Sequence, residues 1–153
     1  MVDDYSPFAL VADDDAFIAM DACQILEDAG FRTFQAADVD AAVAILEENA
    51  ESIQLLFSDV QMPPSERDGF ELARLTAERW PHISIIVASG MAKPEPGAMP
   101  EGARFILKPF SADVVYQHLQ EVLPDGKKPR PLVEKATGLR TACAQPQAWP
   151  EDI

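Results

Sequence analysis

The chain has few cysteines and no long apolar run. Cys23 and Cys143 are its two cysteines, and they lie far apart with no metal-binding spacing, which is typical of a reduced cytosolic protein with unpaired thiols. No apolar run approaches the ~20 residues that a membrane helix requires. Residues 1–7 are short and acidic, the wrong character for an export signal. We therefore expect a globular, cytoplasmic protein without membrane contact.

Positive charge is also scarce. Lys and Arg number 12 against 26 Asp and Glu, for a net charge of −14. Five Lys/Arg and four Asp/Glu lie from residue 124 onward, a net charge of +1, so residues 1–123 carry −15. The negative charge of residues 1–123 repels nucleic-acid phosphates and attracts cations and basic partner surfaces. We therefore expect no direct binding to nucleic acid.

Short apolar segments alternate with segments of helical periodicity. The apolar segments predict five strands, at residues 8–12, 31–36, 54–58, 83–88 and 103–107. Helices are predicted at residues 16–29, 41–50 and 69–79, and a last helix follows Ser111 and runs through Val122. Asp15, Asp38, Asp68 and Ser111 are the predicted N-caps. This alternation predicts an α/β fold with a doubly wound, five-stranded parallel sheet between two layers of helices.

Two stretches depart from this alternation. Three prolines lie between Gly90 and Gly102, where a helix is due, and predict a loop with at most one helical turn. The other stretch is residues 124–153, which contain five prolines and little periodicity. It is too short for a second domain, so we expect residues 1–123 to form the domain and the tail to be disordered or draped over its surface.

Polar residues stand where four of the predicted strands end. Asp13 and Asp14 follow the first strand, Asp59 the third, Ser89 the fourth and Lys108 the fifth. The carboxyl ends of parallel strands share one edge of the sheet, so these side chains should converge there. Carboxylates from different strands suit Mg²⁺, and a metal beside Asp59 lowers its repulsion toward a phosphoryl group. The set predicts phosphoryl transfer onto an aspartate.

With these residues in this order, the chain resembles the receiver domain of bacterial two-component response regulators. The motifs VADDD, FSDVQMP, VASG and FILKPF carry the resemblance, which covers residues 7–124. It implies a flavodoxin-like fold, with Asp59 as the phosphorylated residue. It also implies that Mg²⁺ is bound by Asp13, Asp14, Asp59 and the backbone carbonyl of Gln61.

The resemblance assigns three further roles. Lys108 contacts the transferred phosphoryl group, Ser89 occupies the Ser/Thr switch position, and Phe105 is the aromatic residue whose rotamer follows that switch. The short or irregular fourth helix departs from typical receivers. Dimerisation through that face is therefore in doubt for this chain.

We predict a stand-alone response regulator that accepts a phosphoryl group from a phosphohistidine donor, either a histidine kinase or a phosphotransfer protein. Its output is then a phosphorylation-dependent protein contact or a phosphorelay, and it is no enzyme beyond its own phosphorylation and dephosphorylation. Two alternatives stay open. One is a receiver-like adaptor that works without phosphorylation, and the other is a small Mg²⁺-dependent phosphohydrolase with Asp59 as nucleophile.

Overall fold

The computed structural model describes residues 7–62, 68–90, 99–124, 127–129 and 131–133. Within them lie five strands, β1 (Phe8–Ala12), β2 (Arg32–Ala36), β3 (Ile53–Asp59), β4 (Ser84–Ser89) and β5 (Arg104–Leu107). The described helices are α1 (Ala16–Asp28), α2 (Val39–Asn49), α3 (Gly69–Arg79) and α4 (Ala112–Val122). None of these described helices is both long enough and apolar enough to cross a membrane.

The five strands form one sheet in the order β2-β1-β3-β4-β5, and every neighbouring pair is parallel. The chain moves outward to β2 from β1 and then crosses to the other side with β3. This reversal opens a crevice at the carboxyl ends of β1 and β3, where ligands bind in sheets of this type. The predicted doubly wound, flavodoxin-like parallel sheet is confirmed.

Alternate residues of the central strands supply two apolar cores, one on each face of the sheet. Val11 and Ile86 face a core shared with α1 and α4, whereas Leu10 and Val87 face a core shared with α2 and α3. Both faces are covered, which explains why β3 and β4 read as nearly continuous apolar runs. The sheet is thereby sealed from water except at its two edges and its strand ends.

Each described helix starts at the predicted cap. The side chains of the cap residues accept backbone N–H groups of the first turn, and these residues are Asp15, Asp38, Asp68 and Ser111. Helix α2 begins at Val39, two residues before the predicted start, because the chain turns helical directly after its cap. Gly30 follows α1 with a φ of 106°, a left-handed conformation that favours glycine.

Two predictions concern parts of the chain that are described only at their margins. The predicted loop between Gly90 and Gly102 falls mostly on residues 91–98, outside the described residues, so the irregular fourth helix stays a prediction. Most of the tail also lies outside them. Its first part, through Val133, is described in three short pieces, and Leu132 there is fully buried. The domain boundary at residue 123 stays a prediction.

Candidate functional site

The structure brings a lysine and two aspartates together at the carboxyl edge of the sheet. The Nζ atom of Lys108 lies 2.9 Å from Oδ2 of Asp13 and 3.0 Å from Oδ1 of Asp59. The three side chains are 15%, 6% and 12% exposed, so their charges meet in a setting that water screens poorly. The predicted convergence of the ends of β1, β3 and β5 is confirmed.

Backbone hydrogen bonds hold these side chains to the ends of neighbouring strands. The N–H of Lys108 donates to the carbonyl of Ser89 (2.9 Å), which fixes the turn after β5 against the end of β4. The N–H of Asp13 donates to the carbonyl of Ala36 (3.0 Å), at the end of β2. The sheet itself therefore places Lys108 and Asp13. The peptide bond from Lys108 to Pro109 is cis.

Three carboxylates form a cluster that could hold a divalent metal. Asp13, Asp14 and Asp59 each offer one oxygen, and the three oxygens lie within 4.8 Å of one another. Such hard oxygen ligands from two different strand ends suit Mg²⁺ better than a softer metal. Gln61 lies two residues after Asp59 with an exposed side chain, and the metal contact of its carbonyl stays a prediction.

Burial and mutual charge shift the pKa of two groups at the site. Burial raises the pKa of the Asp59 carboxyl, and the charge of Asp13 adds to the rise, although the hydrogen bonds of Lys108 and of the Val60 N–H oppose it. For Lys108, burial by itself lowers the pKa, but the hydrogen bonds and charges of Asp13 and Asp59 outweigh burial and raise it. Among the described residues, three carboxylates and one lysine lie together here, and this excess of negative charge favours a further cation.

A glycine and a serine that the sequence analysis had not linked to the site support the backbone of Asp59. The hydroxyl of Ser58 donates to the carbonyl oxygen of Asp59 at 2.8 Å. The N–H of Gly69 donates to the carbonyl of Val60 at 2.7 Å, and a Cβ at Gly69 would overlap the Asp59 carbonyl oxygen. A glycine directly after the cap of α3, where better helix formers are usual, was the available signal.

Ser89 and Phe105, predicted as the switch pair, lie on β4 and β5, which follow β3 on the same side of the sheet. Ser89 is the last residue of β4 and is 3% exposed, one position beyond Ala88, which pairs with Asp59. Phe105 lies on β5 opposite Val87 and packs, partly buried, against the core under α2 and α3. Both residues are thus one or two strands away from Asp59, and their switch roles stay predictions.

An apolar groove borders the site on the side of α1. It has a volume of about 310 Å³ and is lined by Ile18 and Asp21 of α1 together with residues 108–110. Phe17, 83% exposed, and Met20, 61% exposed, are the sequence neighbours of Ile18 and Asp21 on α1. Exposed large apolar side chains next to a charged site are typical of protein–protein contact surfaces.

A parallel sheet with an acidic cluster and a lysine at its carboxyl edge is the arrangement of a class of signalling domains in two-component systems. The family model of the response regulator receiver domain matches residues 9–120, and the chain belongs to this family. The resemblance inferred from the sequence is confirmed.

Known proteins similar to this chain include regulators of two sizes. The nitrogen assimilation regulatory protein NtrX of Azorhizobium caulinodans is 36% identical over 107 residues, which are 68% of this chain and 23% of that protein. The response regulator receiver protein CpdR of Brucella abortus is 31% identical over 118 residues, 74% of this chain and 94% of that protein. The chain therefore spans under a quarter of NtrX and nearly all of CpdR.

Among solved structures, a chain of the CheX-CheY-BeF3-Mg²⁺ complex from Borrelia burgdorferi is similar to this protein. Its TM-score is 0.68 at 27% sequence identity, over 76% of this chain and 88% of that chain. The match supports the assignment to the receiver family.

Proposed function

We propose that this protein is a stand-alone response regulator that accepts a phosphoryl group on Asp59 from a phosphohistidine donor in the presence of Mg²⁺. The observation that carries the proposal is the contact of Lys108 with both Asp13 and Asp59, beside the third carboxylate of Asp14. An aspartate held between a cation and a metal-binding cluster has the partners that phosphoryl transfer needs. The match to CpdR over 94% of its length supports a stand-alone architecture.

Hydrogen bonds orient the Asp59 carboxylate for attack. Its Oδ1 accepts from the N–H of Val60 (2.8 Å) and is 3.0 Å from the Nζ of Lys108, an arrangement that leaves Oδ2 to attack phosphorus. The new O–P bond forms as the donor's P–N bond breaks, and the electron pair of that bond stays on the donor's imidazole. Lys108 then contacts a phosphoryl oxygen in place of the carboxylate.

The residues around Asp59 also fit the metal that this reaction requires. Asp13, Asp14, Asp59 and the carbonyl of Gln61 would hold Mg²⁺, whose positive charge offsets that of the phosphoryl oxygens. The Borrelia complex, whose name includes Mg²⁺ and BeF3, supports this part of the proposal. In the phosphorylated protein Ser89 and Phe105 serve as the switch, so that phosphorylation favours one of two available packings.

The protein acts between a phosphoryl donor and an output. Its donor is a sensor histidine kinase or a histidine phosphotransfer protein, and its output is a protein contact or a relay of the phosphoryl group. It catalyses no reaction beyond its own phosphorylation and dephosphorylation, and it binds no nucleic acid, in keeping with its net charge of −14. The two widely spaced cysteines favour a cytoplasmic location.

Intact mass after incubation with acetyl phosphate tests the proposal. The wild type should gain one phosphoryl group in the presence of Mg²⁺, and hydroxylamine should remove it because an acyl phosphate is labile to this nucleophile. Asp59→Asn should gain none. Asp21→Asn, at an exposed acid that lines the apolar groove bordering the site, is the matched control and should be phosphorylated like the wild type.

Other outcomes of this experiment lead to the alternative functions. A folded wild type that gains no mass and shows no structural change with beryllofluoride would point to the adaptor that works without phosphorylation. Sustained release of phosphate from phosphate esters would point to the phosphohydrolase. Either result contradicts the proposed phosphoacceptor.

The apolar surface on α1 makes a separate prediction about the donor. We expect the donor to cover Phe17 and Met20 as it docks, because both are exposed on the helix that starts directly after the acidic residues 13–15. Met20→Glu should slow phosphotransfer from a phosphorylated histidine kinase about tenfold or more, since it puts a charge into an apolar contact. The rate with acetyl phosphate should stay unchanged. Gln117→Glu, at an exposed position of α4, is the control, and equal slowing of both variants would argue against docking on α1.

A further inference from the structure

The chain beyond α4 returns to the carboxyl end of α1. We call the described residues 127–129 and 131–133 the strap. Leu132 is fully buried and belongs to the same apolar core as Leu26 of α1 and Leu119 of α4. Pro129 is buried as well. Leu132 is therefore part of the core that α1 and α4 share.

Hydrogen bonds give the strap a defined conformation. The Nε2 of Gln120, on α4, donates to the carbonyl of Leu132 at 2.7 Å. Within the strap, the carbonyl of Pro129 accepts the N–H groups of Leu132 (3.1 Å) and Val133 (3.2 Å). The strap is therefore tied to α4 by a side chain and closed on itself by two backbone bonds.

Gly30 provides the room in which the strap lies. A Cβ on Gly30 would come within 2.6 Å of the Cβ of Pro129 and 2.9 Å of the Cδ of Pro131. The strap therefore passes directly over the backbone of the α1 terminus. Any side chain at Gly30 would push it away.

We propose that the carboxyl ends of α1 and α4 form a docking groove for this chain's own strap, distinct from the groove beside Asp59, and that the strap holds the two helices together. The groove lies at the edge of the sheet opposite Asp59, because α1 runs from Asp15 at the carboxyl edge back to Gly30, before β2. The two helices that the strap joins start next to Asp13 and Lys108, respectively. The docking of the strap does not depend on phosphorylation, and it extends the folded receiver to Val133.

A double-mutant cycle on the full chain tests the docking, and it begins with single variants of the strap. Leu132→Ala should lower the equilibrium constant for folding about 100-fold, the effect of removing a buried leucine side chain. Val133→Ala, next to it in the strap at an exposed position, should change the constant less than about threefold. Denaturant unfolding measures both.

Gly30→Ala has a matched control in Gly102→Ala. Both glycines have a positive φ, so both alanines are strained, but within the described part of the chain nothing lies within 4 Å of a Cβ at Gly102. Gly30→Ala should therefore be the more destabilising of the two. Because it also displaces the strap, Leu132→Ala should cost less than about fivefold in the Gly30→Ala background. Additive effects, or equal effects of the two glycine variants, would overturn the proposal.

Hydrogen exchange of the wild type tests the docking without any variant. The amides of Leu132 and Val133 should be protected, because both donate to Pro129. Exchange at the rate of a free chain would show that the strap is not docked. An unfolding midpoint that rises with protein concentration would assign the groove to the strap of a second copy, and that result also contradicts docking within one chain.

Discussion

Lys108→Met should lower the free energy of unfolding in Mg²⁺-free buffer by about 3 kcal/mol, because removal of one partner leaves buried charges without compensation. Lys108 is the cation that lies within 3.0 Å of Asp59 and 2.9 Å of Asp13. Methionine keeps much of the apolar stem but carries no charge. The two carboxylates then repel each other in a poorly screened setting. Denaturant unfolding near neutral pH measures the loss.

Mg²⁺ and pH should each reverse part of this loss. Without the competing lysine, the three carboxylates should bind Mg²⁺ more tightly, so Mg²⁺ should stabilise the variant more than the wild type. The pKa of Asp59 is already raised by burial, and loss of Lys108 raises it further. A carboxyl with a raised pKa binds its proton more tightly in the folded state, so the loss should shrink as the pH falls through that pKa.

Arg104→Met is the matched control for Lys108→Met. Arg104 forms an ion pair with Glu121 at 3.1 Å, but the two side chains are 43% and 45% exposed. Removing that exposed pair should cost less than about 1 kcal/mol. Adding Asp59→Asn to Lys108→Met should recover stability, because one of the unpaired carboxylates is then gone. If Lys108→Met were no more destabilising than the control, the contact of Lys108 with both aspartates would be contradicted.

Gly69→Ala should destabilise the protein by about 3 kcal/mol, at the upper end of the cost of inserting a methyl group into a packed site. The new Cβ would overlap the carbonyl oxygen of Asp59 and approach the hydroxyl of Ser58 to 3.0 Å. The end of β3 cannot yield easily, because Asp59 pairs with Ala88 on β4. Either α3 or β3 has to shift.

Gly90→Ala provides the control for Gly69→Ala, since no atom of the described residues lies within 4 Å of a Cβ at Gly90. It follows β4 at the same edge of the sheet and should change stability by less than about 1 kcal/mol.

The rate of phosphorylation by acetyl phosphate gives a second measurement. Gly69→Ala should also slow this reaction, because a displaced Asp59 loses its alignment with Lys108. Equal stability and equal rates for the two variants would show that Gly69 does not position Asp59.

Local patterns made most of the fold predictable. A strand is recognised by its apolar run, and a cap by its short polar side chain before a helical period, as Asp38 and Asp68 show. The position of Asp59 at the edge of the sheet follows from the same local reasoning, since parallel strands end together. The start of α2 at Val39 was missed by two residues because apolar periodicity locates the helix face more clearly than its first turn.

Contacts between distant parts of the chain were less accessible. Lys108 and Asp13 are 95 residues apart, and their convergence was predicted only because both follow strands of one sheet. No comparable pattern indicated that Gly69 lies against the Asp59 carbonyl or that Gly30 lies under Pro129. In both places the glycine is required by the closeness of another backbone segment, which depends on how helices and strands pack.

By itself, the sequence determined the order of strands and helices, the caps and the set of acidic, hydroxyl and lysine residues at one edge of the sheet, because each depends on neighbours a few positions away. The tertiary structure alone decided which charges pair, how closely α3 approaches Asp59 and where Leu132 lies. These features depend on distances of a few ångströms between segments that packing, and not local pattern, brings together.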